Sequence, residues 1–270
     1  MPRTIHWARR GRGTKQVNPS ERGQKQVATG ERGEKRKLSE SDDSNPRHLA
    51  RRYVPANKSE ESLSPAAVAD PALLSDHFAK YILKWFPESS TIELEDRYLP
   101  TKAFLDTTSY DRDRVAENLP DFLERFSAGS KEALSTCDEV ATPHTLVLTI
   151  SGMRTADLAR QLQVFKSEDC KVGKFIAKHM KLEMNAEFLR QYKVTIAMGT
   201  PGRLNQLLEA GAMKTEGLQR IVVDGSYRDA KNSSIFTNGQ IFRPMLALLN
   251  NDSIRQRYGA EHHKIDLLVF

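Results

Sequence analysis

The stretch Gly199-Thr200-Pro201-Gly202-Arg203-Leu204 follows an apolar run directly and opens a series of leucines at helical spacing. Thr200 is a good N-cap, and Pro201 fits a first helical turn, where a missing N–H costs little. A helix entered this way presents free backbone N–H groups and the positive end of its dipole, a cradle for phosphate, with Arg203 as an added charge. The plainer alternative is a helix entry with no ligand. A second candidate, Asp224-Gly225-Ser226-Tyr227, closes another apolar run. Ser226 does not sit in a G-x-S-x-G elbow, so nothing specifies a strained turn that would expose a nucleophile. No G-x-x-x-x-G-K-[ST] occurs, and the Gly173-Lys174 pair is followed by Phe175. Without that loop nothing holds the β- and γ-phosphates of a nucleotide or offers a hydroxyl to Mg²⁺. Gly199 and Gly202 do not make G-x-G-x-x-G either, so no dinucleotide cofactor is expected. The seven histidines are scattered, and His262-His263 are adjacent rather than spaced along one helix face, so no metal site is expected.

The elements that must position these residues alternate. Leu146-Val147-Leu148-Thr149-Ile150 is a short apolar run of the kind buried on both faces of a sheet. A helix follows with Leu158, Leu162 and Phe165 on one side, then Val172 to Ala177, then a helix through Phe188-Leu189. The strand Val194 to Met198 leads to a helix carrying Leu204, Leu207 and Leu208, with Gly211 placed for a left-handed C′ residue. The strand Arg220 to Asp224, a helix near Phe242 to Leu249 and a last strand Ile265 to Phe270 complete the series. This alternation predicts an α/β fold with a parallel, doubly wound sheet and helices on both faces. Upstream, Leu74, Phe78, Tyr81, Ile82 and Trp85 fall at helical spacing ahead of Pro87, with core packing the simplest role for that face. Leu119 to Phe126 makes a second short helix, and the segment through Phe104-Leu105-Asp106 is ambiguous.

The 270 residues divide into a basic tail at 1–65, a helical extension at 66–143 and the α/β domain at 144–270. The formal charge of +6 belongs to the tail and leaves the body near neutral. Arg12-Gly13-Thr14-Lys15, Arg22-Gly23-Gln24-Lys25 and Arg32-Gly33-Glu34-Lys35 repeat every ten residues, with almost nothing apolar to stack, so the tail is expected to be disordered. Concentrated basic charge is a footprint for a polyanion, and a solvated tail that only confers solubility is the alternative. Lys35-Arg36-Lys37 resembles a nuclear import signal. Cys137 and Cys170 are the only cysteines, too few for a disulfide framework or a four-ligand zinc site, and two thiols suit a reducing compartment. No membrane span and no secretory signal are expected, since no long apolar stretch is present and the basic N-terminus lacks an apolar core.

The run from Val194 to Asp224 resembles the DEAD-box RNA helicases, in which a TPGR motif, a helix and the Walker B strand follow in that order. Leu146 to Leu158 is similar to the strand and turn of that family's first RNA-contacting motif, with Ser151-Gly152-Met153-Arg154 in place of Pro-Thr-Arg. Lys178-His179-Met180 stands where the family has a double-glycine loop. The resemblance covers residues 144–270 and implies a RecA-like domain. It also implies that Ser151, Gly152, Arg154, Lys178, Gly199, Thr200, Pro201, Gly202 and Arg203 contact an RNA backbone. Asp224-Gly225-Ser226-Tyr227 takes the place of Asp-Glu-Ala-Asp as a degenerate Walker B. Asp224 is left free to sit near a metal, but Gly225 removes the carboxylate that would orient water, a loss of ~10²–10⁴ in rate for such a base. The resemblance stops at Val269-Phe270, before the family's Ser-Ala-Thr, and unwinding needs a cleft between two such domains, so no helicase activity is expected.

A narrower resemblance, over about residues 70–270, is to the Cms family of small-subunit ribosome-assembly factors. It is carried by Glu93-Leu94-Glu95-Asp96, Phe104 to Thr108, Asn118-Leu119-Pro120, Ser151 to Leu158, Phe175 to Leu182, the GTPGRL turn and Asp224-Gly225-Ser226-Tyr227-Arg228-Asp229. It implies a non-catalytic protein of the early small-subunit precursor in the nucleus and nucleolus. Its partners would be pre-rRNA and other assembly factors, with no cofactor, membrane or small-molecule substrate. A scaffold that touches only proteins, and a residual nucleotide-binding enzyme, remain as alternatives.

Overall fold

A computed structural model of the chain describes residues 69–127 and 130–270. The expectations for the Arg-Gly tail and for Lys35-Arg36-Lys37 lie outside the described residues. The chain first forms α1 (Pro71–Trp85), α2 (Thr91–Arg97), α3 (Leu119–Arg125) and α4 (Ser130–Ser135). It then alternates through β1 (Thr145–Leu148), α5 (Gly152–Gln161), β2 (Cys170–Phe175), α6 (Leu182–Gln191), β3 (Lys193–Gly199) and α7 (Pro201–Glu209). β4 (Arg220–Val223), α8 (Gly239–Leu249), α9 (Asp252–Arg255) and β5 (Asp266–Val269) follow.

The five strands make one sheet in the order β2-β3-β1-β4-β5, every pairing parallel. Every residue of β1 and β4 is buried, as continuous apolar strands in a sheet covered on both faces must be. Side chains of α1, α6, α7 and α8 join one buried cluster, and those of α3 and α5 join the other. The step from β1 to β2 runs toward one edge with α5 on one face. The steps from β2 to β3, β3 to β4 and β4 to β5 run the other way with α6, α7 and α8 on the opposite face. All four crossovers therefore share one hand, as parallel βαβ units require.

β1 ends at Leu148 rather than at Ile150, because the chain turns at Ser151 to cap α5. The predicted helix near Phe165 splits, since α5 tightens into a 3-10 turn over Leu162–Phe165. The ambiguous segment at Phe104 forms a single parallel bridge to Leu267, and Leu105 N donates to Leu267 O at 2.9 Å, so the sheet edge at β5 is partly covered. α2 went unpredicted, although Ser90 and Glu93 form a capping box at its start.

α1 begins at Asp70, whose carboxylate accepts from Ala72 N and Leu73 N, with Pro71 in the first turn. It buries Leu74, Phe78, Tyr81 and Ile82, each contributing ~1.5–3 kcal/mol by removal from water. Phe78 and Tyr81 pack on Phe236 with ring centroids 5.1 and 5.6 Å apart. Trp85 Nε1 donates to Phe236 O at 2.9 Å. A Cβ on Gly239 would lie 2.7 Å from the Trp85 ring, so only glycine lets α8 begin there. The loop between β4 and α8 is thereby fastened to the N-terminal helix.

His144 enters β1 almost wholly buried, with Nδ1 2.7 Å from Thr145 Oγ1 and Nε2 3.3 Å from Leu134 O. Burial, reinforced by the nearby charge of Arg220, lowers its pKa from 6.5 to about 4. A histidine depressed in the folded state contributes stability that is complete above pH 6.5 and is lost as pH falls toward 4. The expected loss over that window is on the order of 3 kcal/mol, read from urea titrations at several pH values. His144→Gln should flatten the dependence by that amount; an unchanged slope would show that the imidazole is not held neutral.

Candidate functional site

Four loops meet the solvent at the C-terminal edge of the sheet, where open α/β folds bind their ligands. In sheet order they follow β2, β3, β1 and β4. The candidate residues lie in these loops or in the strand ends and first helical turns beside them: Lys178 after β2, Gly199 at the end of β3 with Thr200 to Arg203 entering α7, Ser151 to Arg154 entering α5, and Asp224 to Tyr227 after β4.

Ser151 caps α5, its hydroxyl accepting from Arg154 N at 3.2 Å. A Cβ on Gly152 would lie 2.6 Å from Ile176 Cγ2, so the first turn of α5 sits tight against the loop after β2. Arg154 does not reach out from this turn as a free edge cation. It is buried, with Nε donating to Asp224 Oδ2 and Nη2 to Asp224 Oδ1, both at 2.9 Å. Its guanidinium carbon stands 4.3 Å from the centroid of the Tyr227 ring. Two donors and a face of Arg154 are therefore engaged inside the protein. Burial disfavours charge on Arg154, but the hydrogen bonds and charge of Asp224 outweigh it, so the guanidinium holds its proton more tightly than usual. Burial likewise pushes the Asp224 carboxyl up from its ordinary value, with Arg154 pulling it back.

The same fork engages the Asp224 carboxylate on both sides. Both carboxylate oxygens face Arg154, and among the described residues no group of metal-ligating side chains is assembled. Gly225 is buried beside it, its N–H donating to Phe270 O at 2.8 Å. A Cβ there would lie 2.6 Å from Val269 Cγ1 and 3.0 Å from Phe236 Cε2. Phe236 is the residue whose carbonyl Trp85 holds, so the space a longer side chain at 225 would need is filled from α1 outward. Ser226 is exposed and Tyr227 half-buried over Arg154.

α7 starts as its sequence predicts, with one difference. Thr200 takes the N-cap conformation (φ −71, ψ 145) but its hydroxyl makes no capping bond, and Pro201 follows in the first turn. A Cβ on Gly199 would lie 2.8 Å from Phe175 O, so the neighbouring strand backbone requires glycine. Gly202 has open space around its Cβ position. Leu204 and Leu207 are fully buried, and Gly211 adopts a φ of +62 beyond the helix end. Arg203 is 8% exposed, and its Nε and Nη1 have no hydrogen-bond partner. A buried guanidinium is normally paired, because an unpaired charge out of water costs several kcal/mol. Lys178 stands exposed in the turn before α6, where His179 N and Met180 N both donate to Ile176 O at 3.1 Å. Sequence reasoning missed Asn185 in α6. It is fully buried, and both Oδ1 and Nδ2 lack partners. The signal available was an amide on the apolar stripe of an amphipathic helix.

Comparison with known proteins follows the same chain. Residues 9–269 match the family model described as CMS1: U3-containing 90S pre-ribosomal complex subunit, a match that reaches into the basic tail. Protein CMS1 of Chaetomium thermophilum is 36% identical over 242 residues, covering 87% of this chain and 96% of that protein. Protein cms1 of Schizosaccharomyces pombe is 25% identical over 205 residues, 76% of this chain and 72% of its own. Protein CMSS1 of Homo sapiens is 27% identical over 158 residues, 58% of this chain and 54% of its own. With a model match over nearly the whole chain and a relative above a third identical along its length, the chain belongs to the CMS1 family of 90S pre-ribosomal complex subunits.

Proposed function

We propose that this protein is a non-catalytic assembly factor of the early small ribosomal subunit precursor, working in the nucleus and nucleolus. It holds pre-rRNA, neighbouring assembly factors or both through a RecA-like domain of the DEAD-box type that no longer turns over nucleotide. The family description supports a place in the 90S particle. The all-parallel five-stranded sheet is compatible with the RecA-like reading. Residues 66–143 act as an extension built onto the domain at 144–270, since the side chains of α1 enter the same core cluster as the sheet. The basic tail adds affinity for RNA that is independent of sequence and sensitive to salt. No cofactor, metal, membrane or small-molecule substrate has a part in this reading.

One observation carries it. Asp224 is closed onto Arg154 and position 225 is packed shut, which supports the reading that this turn neither holds a metal nor orients water. Lys178, exposed at that edge, and the half-buried Thr200 and Gly202 at the opening of α7 suit phosphate positioning, which carries no sequence information. Crosslinking of the full chain to RNA, mapped to single residues, tests the RNA arm. Crosslinks at the Thr200–Arg203 turn are expected in addition to those in the tail. Crosslinks confined to the tail would instead favour a body that contacts only proteins. Mg²⁺-dependent ATP hydrolysis abolished by Asp224→Ala would overturn the non-catalytic reading.

A further inference from the structure

An ordinary surface helix is apolar inward and polar outward. α6 departs from this on both sides. Its inward side holds Asn185, fully buried with both amide atoms unpaired, beside Ala186 and Leu189. On the outward side Met184 is 55% and Tyr192 38% exposed, and Phe188 between them is half-buried. Spaced four residues apart, these three form one apolar stripe, ~12 Å or about two turns long, and Met180 extends it from the turn ahead of the helix. The Phe188 and Tyr192 rings lie 5.0 Å apart, and Lys171 of β2 holds its Nζ 3.1 Å from the Tyr192 ring centre, which fixes that end of the stripe. Single exposed apolar residues are ordinary, but a contiguous row rimmed by charge has the anatomy of a contact surface. Here Met180, Met184 and Phe188 floor an open groove of about 500 Å³, with Glu183, Glu187 and Arg190 among its lining. Glu187 is engaged by Arg190 and Gln191, each at 2.7 Å. The exposed Glu183 carboxylate has no partner among the described residues.

We propose that the outer face of α6 is a docking surface for an amphipathic helix of a partner protein, with the partner's apolar row in the groove and a lysine or arginine against Glu183. A stripe that follows one helix axis admits a second helix by ridge-and-groove packing. Methionine side chains re-pack around apolar anchors of different shape, so the floor tolerates leucine, isoleucine or phenylalanine from the partner. The unengaged carboxylate selects a cationic neighbour and works against an acidic segment or a phosphodiester chain. The proposal rests on the reading that the protein holds neighbouring assembly factors, and not on RNA contact at the opening of α7.

Two measurements test it on the full chain. In the first, a dye-labelled helical peptide with a leucine stripe beside a row of lysines is titrated against wild type, Met184→Asp and Glu183→Lys, and so is the same peptide with glutamates in place of the lysines. Comparing each peptide between wild type and variant cancels any binding to the basic tail. Met184→Asp is expected to weaken the lysine peptide ~10-fold. Glu183→Lys should weaken it by a similar factor and strengthen the glutamate peptide. Both residues are exposed, so thermal midpoints should stay at the wild-type value. Lysine-peptide affinity that neither variant changes would overturn the proposal. In the second, a photo-reactive benzoylphenylalanine replaces Met184, and crosslinked peptides are sequenced from particles purified through the tagged chain. A basic amphipathic segment of another protein is the expected product. An acidic segment, RNA, a second copy of this chain or no product at all would overturn docking at α6. If the chain enters the particle without that product, the assembly-factor reading stands and the α6 site alone falls; if the chain is absent from the particle, both fall.

Discussion

Replacing Asp224 with leucine, or Arg154 with methionine, is expected to destabilise the protein by ~3–5 kcal/mol, read from urea unfolding at neutral pH. The magnitude follows from burial. Each single change leaves a charge stranded in a site where its partner was the main compensation, with the Arg154 side chain 8% exposed and that of Asp224 1%. The double variant Arg154→Met/Asp224→Leu is expected to recover most of the loss, because two apolar side chains of similar size need no pairing. A coupling energy near zero across that cycle would mean that the fork contributes nothing to the folded state. The RNA-crosslinking pattern of the double variant should match the wild type, because Arg154 is assigned to the interior and not to the ligand.

The second large effect is expected at Gly225. Even Gly225→Ala forces a methyl group against Val269 and the Phe236 ring, an overpacking cost of ~1–3 kcal/mol. Gly225→Glu, which introduces the carboxylate that the resemblance to DEAD-box proteins would place here, should cost more than ~4 kcal/mol or prevent folding, since it adds an unpaired charge to the clash. It should not confer ATP hydrolysis. A soluble Gly225→Glu protein with wild-type stability would contradict the packing described around Phe236, and its gaining ATPase activity would contradict the functional reading as well.

The parts of this fold that were legible in the sequence are those specified by neighbours in the chain. α7 could be read because its N-cap, its first-turn proline, its leucine stripe and its C′ glycine all lie within a dozen residues and agree. The apolar runs at β1, β3 and β4 declared a sheet covered on both faces, and the alternation declared its parallel pairing. Glu93 stands three residues beyond Ser90, so α2 was readable in principle and was overlooked because its seven residues bury no side chain fully.

What escaped the sequence depends on residues brought together from far apart. The Arg154–Asp224 fork spans 70 positions, and nothing in Ser-Gly-Met-Arg distinguishes a cation bound for solvent from one bound for a buried carboxylate. The glycine at position 225 could be read directly, but the reason a longer side chain does not fit there lies with Phe236 and the helix behind it. The Phe104 segment was ambiguous because a strand reduced to one bridge leaves no alternation to detect. Asn185 carried no motif, and only its burial without a partner brings it to notice.

The tie between Trp85 and the Phe236 carbonyl spans 151 positions, and the Leu105–Leu267 bond closes a comparable loop. Both are non-local contacts of the kind that raise contact order and slow folding, because a long loop must close before they form. During synthesis the apolar face of α1 therefore emerges well before the segment that covers it. The nascent chain must carry that face unsatisfied through most of translation, a state in which chaperone capture competes with aggregation.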